Sequence, residues 1–150
     1  MNQSEQGCTQ EVLDTQDLLQ LLPHRFPMLL VDRVTVLERG RRVIGAKRIT
    51  SGDCWANGGR ELPHMLVLEA LAQTSSALVR DLMDGAEGAV AYFMGLDRVK
   101  LRAAARIADE LSMDLGILQW RRGVCRTAGV ATVNGQLVAS ATLTTVVRGA

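Results

Sequence analysis

Hydrophobic and polar positions along this chain follow two periods, divided by one long apolar stretch. Residues 63–83, PHMLVLEALAQTSSALVRDLM, are apolar on nearly every side of a helical wheel. That pattern predicts a helix buried all round rather than a surface helix with one apolar stripe. Pro63 suits its first turn and Asp84-Gly85 its end. Every later segment reads as strand: AVAYFMGL (89–96), VKLRA (99–103) beyond a turn at Asp97-Arg98, ELSMDLGILQWRR (110–122), VCRTAGVATV (124–133) and QLVASATLTTVV (136–147). Asn134-Gly135 is a two-residue hairpin signal, and no proline follows Pro63, which suits a continuous antiparallel sheet.

Ahead of the long helix, residues 1–12 read as a loose polar tail. Asp14 or Thr15 can cap a short helix carrying Leu18, Leu19, Leu21 and Leu22, which Pro23 stops. Pro27 keeps the next segment extended, and two β-rich runs, 28–38 and 42–50, flank a turn at Arg39-Gly40. Residues 51–62, SGDCWANGGREL, form a loop. The expectation is one α+β domain over 13–150, a curled antiparallel sheet wrapped around a long central helix. Such a sheet leaves one side of the helix open, so closure by a second copy, a homodimer or higher even oligomer, is expected.

Composition narrows this picture without redirecting it. At 150 residues and a net charge of +1 the chain suits one core and carries no strong field for nucleic acid or an anionic membrane. Cys8, Cys54 and Cys125 are odd in number and widely spaced, so no disulfide framework or metal pair follows and a reducing cytoplasm is favoured. The polar, acidic N-terminus lacks the order of a signal peptide, and the apolar run around Glu69 is too interrupted for a membrane span.

Chemistry centres on Glu69, an ionisable carboxylate in the middle of the apolar helix, with Gln73 one turn on. An acidic group there is costly unless paired or used. His64, at the helix start, is a candidate base, although five residues of helix turn it about 140° away from Glu69 of the same chain. His24 sits between two prolines and is expected to pin a loop; Cys54 lacks an evident partner and reads as an ordinary thiol.

Three stretches carry a family resemblance: LPHRFPMLLVDRV (22–34), LVLEALAQ (66–73), and YFMGLDRVKLR (92–102) with RRGVCRTAGVATVNGQLVASATL (121–143). Through them the sequence resembles the hotdog-fold (3R)-hydroxyacyl-acyl-carrier-protein dehydratases of fatty-acid synthesis, the FabZ type. The resemblance implies elimination of water from a 3-hydroxyacyl thioester carried on the phosphopantetheine of an acyl carrier protein or coenzyme A, with no other cofactor and no metal. In that family a histidine takes the α-proton, the helix carboxylate of the other subunit handles the hydroxyl, and helix N-terminal amides polarise the carbonyl. Glu69 stands in the carboxylate's place. The resemblance further implies substrate contacts from Gln73, Met65, Trp55, Gly59 and Phe93. Tyr92 and Phe93 are assigned to the sheet core first and to an acyl tunnel second, and Lys100, Arg102, Arg121 and Arg122 to solvated strand faces or a carrier-protein dock.

The family's Gly-His-Phe-Pro segment has no counterpart: NGGRELPHM (57–65) holds Gly58-Gly59 or Trp55 where its histidine belongs, and Pro63-His64 replaces its Pro-Gly. Two alternatives to dehydration follow: an acyl-binding subunit that pairs with a catalytic paralogue, and a hotdog thioesterase using Glu69.

Overall fold

A computed structural model describes residues 10–53, 58–85 and 88–149. In chain order the elements are β1 (Glu11–Leu13), α1 (Thr15–Leu21), β2 (Arg33–Glu38), β3 (Arg42–Arg48), β4 (Glu61–Leu62), α2 (His64–Leu82), β5 (Val90–Leu101), β6 (Ala105–Arg106), β7 (Glu110–Arg121), β8 (Val124–Val133) and β9 (Gln136–Arg148). Seven strands form one antiparallel sheet in the order β1-β2-β3-β7-β8-β9-β5, and β4 pairs with β6.

Local chemistry accounts for the short elements. Asp14 caps α1 in a reciprocal capping box: its Oδ1 accepts the Gln16 and Asp17 amides at 2.8 and 3.1 Å, and Asp17 Oδ2 accepts the Asp14 amide at 3.0 Å. Asn134 and Gly135 both have positive φ, 49° and 78°, as a tight two-residue turn between twisted strands requires.

The sheet curls around α2. Val67, Leu71 and Leu78 of the helix share one core with Val43, Leu111, Met113, Leu115 and Leu143 of the strands. Helix and sheet come close at Gly45 of β3, where a Cβ would lie 2.5 Å from Thr74 Oγ1 and 2.6 Å from its Cγ2. Only a residue without a side chain lets helix and sheet meet there.

The fold is the α+β hotdog arrangement expected, with four differences. Glu11–Leu13 is a strand paired with β2, where a tail through residue 12 was expected; residues 1–9 lie outside the described residues. The turn expected at Asp97-Arg98 is a register shift inside the continuous strand β5, with Arg98 at φ 52°. α2 is not buried all round: Met65 is exposed, and Glu69, Ala72, Ser76 and Arg80 are half-buried along one stripe that the sheet does not reach. Tyr92 and Phe93 are not core residues, because β5 is the edge strand; they are 53% and 51% exposed. No helix among the described residues is long and apolar enough to cross a membrane.

Candidate active site

The open stripe of α2 carries Glu69 and Gln73 one turn apart, on the face the sheet leaves uncovered. Gln73 is almost fully buried and uses both ends of its amide. Its Oε1 accepts the Leu30 amide at 2.8 Å, and its Nε2 donates to the Met28 carbonyl at 2.7 Å and to Glu69 Oε1 at 3.0 Å. One side chain thus ties the helix to the loop between α1 and β2 and sets the carboxylate's orientation.

That loop brings in a residue the sequence reading had assigned only to pinning. His24 Nε2 lies 3.1 Å from Glu69 Oε1, each side chain being 33% exposed. Arg25 holds the loop in this shape: its guanidinium donates to the carbonyls of Leu22 at 2.9 Å, His24 at 2.8 Å and Leu19 at 3.1 Å. The fork of five donors thereby satisfies the free C-terminal carbonyls of α1 and the histidine's own backbone together. Glu69 Oε1 therefore accepts one hydrogen bond, from Gln73, and has the His24 ring close beside it. No hydrogen bond among the described residues reaches Oε2. His24 Nδ1 is buried with no partner among the described residues.

His24, Glu69, Gln73 and Phe93 line a single cavity of about 830 Å³ that runs along α2 past Ser76, Val79 and Met83. It is bounded by the helix stripe, the α1–β2 loop and the start of β5. Its size is within the range of small-ligand sites.

The other expected site residues lie apart from it. His64 Nε2 is 3.0 Å from the Ala103 carbonyl, so its ring is tethered to the segment after β5 and does not meet Glu69 within the protomer. Met65 is 68% exposed on the first turn of α2, and Gly59 lies in the preceding loop at φ 81° with open space around it. Trp55 and Cys54 lie outside the described residues. The α2 N-terminus has no side-chain cap, and among the described residues the amides of His64 and Met65 have no acceptor. Among the described residues no group of three His, Cys, Asp or Glu side chains is placed to hold a metal ion.

A curled antiparallel sheet around one helix, with a carboxylate on the helix's open stripe, defines a hotdog-fold protein. A family model described as FabA-like domain matches residues 22–142, and the chain belongs to that family, with FabZ-type dehydratases as its relatives. It is 38% identical over 131 residues to the 3-hydroxyacyl-acyl-carrier-protein dehydratase FabZ of Roseiflexus sp. (strain RS-1), covering 85% of this chain and 91% of that protein. The FabZ of Bacillus subtilis (strain 168) is 36% identical over 137 residues, 89% of this chain and 96% of the relative. Among solved structures, the dehydratase heterocomplex ApeI:P of Xenorhabdus doucetiae superimposes with a TM-score of 0.72 at 18% identity, covering 88% of this chain and 91% of that one. A hypothetical thioesterase with coenzyme A from Streptococcus pneumoniae TIGR4 gives 0.64 at 18% identity, covering 76% and 84%. At those identities the likeness to solved structures is one of fold.

Proposed function

We propose that this protein binds acyl thioesters, on an acyl carrier protein or coenzyme A, and acts as a 3-hydroxyacyl thioester dehydratase in fatty-acid or polyketide-type biosynthesis in the cytoplasm. The observation that carries this is Glu69: a carboxylate held through Oε1 by Gln73, with His24 3.1 Å away, on the wall of an 830 Å³ cavity. That it sits in a chain up to 38% identical to FabZ dehydratases supports the same chemistry here.

In this reading Glu69 handles the proton transfers, and Gln73 and Phe93 line the acyl path. The unpaired amides of His64 and Met65, about 7 Å along the axis from Glu69, polarise the thioester carbonyl where enolate-like charge develops. The phosphopantetheine arrives with the substrate, and the reaction draws on no other cofactor.

The edge strand β5, with Val90, Tyr92, Phe93, Met94, Val99 and Leu101 all exposed, is the surface this reading gives to a second copy. The test is hydration of crotonyl and longer enoyl thioesters by the purified homodimer, followed as loss of enoyl absorbance. Turnover abolished by Glu69→Ala is expected; no turnover by the unaltered protein at any chain length rejects the reading.

One observation favours a second reading. The chain has only two histidines, one tethered to Ala103 and the other placed against Glu69, and none between residues 50 and 62. A subunit completed by a histidine-bearing relative would show this. Such a subunit would give turnover only after co-purification with that relative, whereas robust turnover alone excludes it.

A further inference from the structure

The cavity has a direction. Of the residues of α2 that line it, Glu69 is the first, and the lining then follows one stripe of the helix through Ala72, Ser76 and Arg80 to Met83 and Asp84. The carboxylate stands at one end of this track, and a cluster of charges stands toward the other. Arg80 is held there from two sides. Its Nη2 donates to Asp81 Oδ1 at 2.7 Å and to both carboxylate oxygens of Glu11 at 3.2 Å, and its Nε donates to Asp81 Oδ1 at 3.1 Å. The Asp81 side chain is 1% exposed and also accepts the Gly40 amide at 3.2 Å. Past Arg80, Asp84 is exposed and paired with Arg39 at 3.2 Å.

We propose that the site selects medium-chain acyl groups, up to about 12 carbons, and that Arg80 is the residue that sets this limit. Placing the β-carbon at Glu69 rests on the dehydratase reading; the charged end of the track does not.

Lengths along the helix give the limit. Arg80 follows Glu69 on α2 by about 16 Å of axis, at ~1.5 Å per residue. Van der Waals contact with the guanidinium takes about 4 Å of this. An extended chain advances about 1.2 Å per bond, since three backbone bonds span about 3.6 Å. About ten bonds thus follow the β-carbon before the tail meets the guanidinium. Up to that point the tail covers apolar surface: Ala72 and Val79 on the helix, Leu21 and Leu22 at the end of α1, and Phe93 on β5.

Further methylenes would cover a guanidinium and its carboxylates, displacing water from charges and offering no hydrogen bond in return. Nor is the guanidinium free to swing aside. It is the closest cation to the buried Asp81, at 2.7 Å against 3.6 Å for Arg39, so moving it leaves that carboxylate poorly paired.

The test measures binding rather than turnover. Butyl, octyl, dodecyl and hexadecyl thioethers of coenzyme A, which the site can neither hydrate nor cleave, are titrated calorimetrically against the purified protein below their micellar concentrations. Each methylene added between butyl and dodecyl is expected to tighten binding about 2- to 4-fold, and hexadecyl to bind within about 2-fold of dodecyl. Arg80→Met, which keeps the stem and removes the charge, should carry the gain on to hexadecyl. Ser76→Phe, which fills the track about 10 Å from Glu69, should end the gain near octyl. If Arg80→Met fails to fold because Asp81 loses its partner, the unaltered protein and Ser76→Phe decide. A gain that continues to hexadecyl in the unaltered protein, no gain from butyl to dodecyl, or an unmoved break in a folded variant overturns the proposal. Enoyl-thioester hydration run alongside separates it from the dehydratase reading: turnover without a break at dodecyl keeps that reading and ends this one, and a break without turnover does the reverse.

Discussion

The side-chain carbonyl of Gln73 accepts the backbone amide of Leu30 at 2.8 Å, across 43 residues of chain. With the same amide donating to Met28 and to Glu69, the central helix, the α1–β2 loop and the carboxylate are set by one side chain. The site is thus assembled by packing between distant segments rather than by a local motif.

Replacing Gln73 by Leu keeps the volume but leaves the buried Leu30 amide and the Met28 carbonyl unpaired. Each such group costs about 1–3 kcal/mol. Gln73→Leu is expected to lower unfolding stability by about 2–5 kcal/mol, measured by urea denaturation. A loss below about 0.5 kcal/mol would mean that water replaces the amide at both groups.

How far the sequence foretold this depends on the range of each interaction. The helix over 64–82 and the long strands followed from periodicity and turn residues, which act locally. The half-open stripe of α2 did not, because which helix face is covered depends on where the sheet stops curling. Nor did the exposure of Tyr92 and Phe93, because nothing inside AVAYFMGL says that its strand lies at an edge. Glu69 was singled out by being an acid in an apolar helix; the approach of His24 to it was not legible, because the two are 45 residues apart. The signal that could have raised it was Gln73 beside Glu69: a buried amide needs several partners, and the loop carrying His24 supplies two.

Gly45 tests the packing of helix on sheet. An alanine Cβ would press on Thr74 Oγ1 and Cγ2 at 2.5 and 2.6 Å, with β3 held on both sides by β2 and β7. Gly45→Ala is expected to cost about 1–3 kcal/mol as overpacking. Thr74→Ala removes both opposing atoms, so the double variant should recover most of that loss. Additive losses in the denaturation midpoints would place the strain elsewhere.

Lys47 and Asp53 form a buried pair at 3.0 Å, with side chains 5% and 10% exposed, where β3 leads into the loop before α2. Asp53 also accepts the Thr50 amide at 2.7 Å and its hydroxyl at 2.9 Å. Removing Lys47 strands Asp53, whereas after removal of Asp53 the Lys47 ammonium keeps the half-exposed Asp32 at 4.0 Å. Lys47→Ala is expected to cost about 3–5 kcal/mol, and Asp53→Ala less. The double variant should cost clearly less than their sum, because the second change removes the charge the first left unpaired. A cycle with no coupling contradicts this.

For β5, the expectation is that light scattering gives twice the chain mass at micromolar concentration. Met94→Lys with Val99→Lys should shift it to the single-chain mass while far-ultraviolet dichroism is kept. Both positions are well exposed in the protomer, 64% and 40%, so the substitutions burden an interface and not the core. A single-chain mass for the unaltered protein would exclude β5 as the seat of a second copy.

Cys125 gives the fold a pH signature. It is buried on β8, 1% exposed, with its Sγ 3.6 Å from Thr127 Oγ1. Burial pushes its thiol pKa up, and the Thr127 contact offsets only part of that. The folded chain then holds the thiol proton more tightly than the unfolded chain. This contribution is fully present below the unfolded thiol's value, about 8.5, and is lost as pH rises through the raised folded value. Stability should therefore decline above about pH 8.5, by at most about 1.4 kcal/mol per pH unit from this group. Cys125→Ala should flatten that limb relative to the unaltered protein, even if its stability at pH 7 is lower from the small cavity. Every other titratable group is common to both proteins, so the difference between the two urea midpoints against pH isolates Cys125. Parallel slopes up to pH 10 would show that the thiol ionises as freely in the fold as outside it.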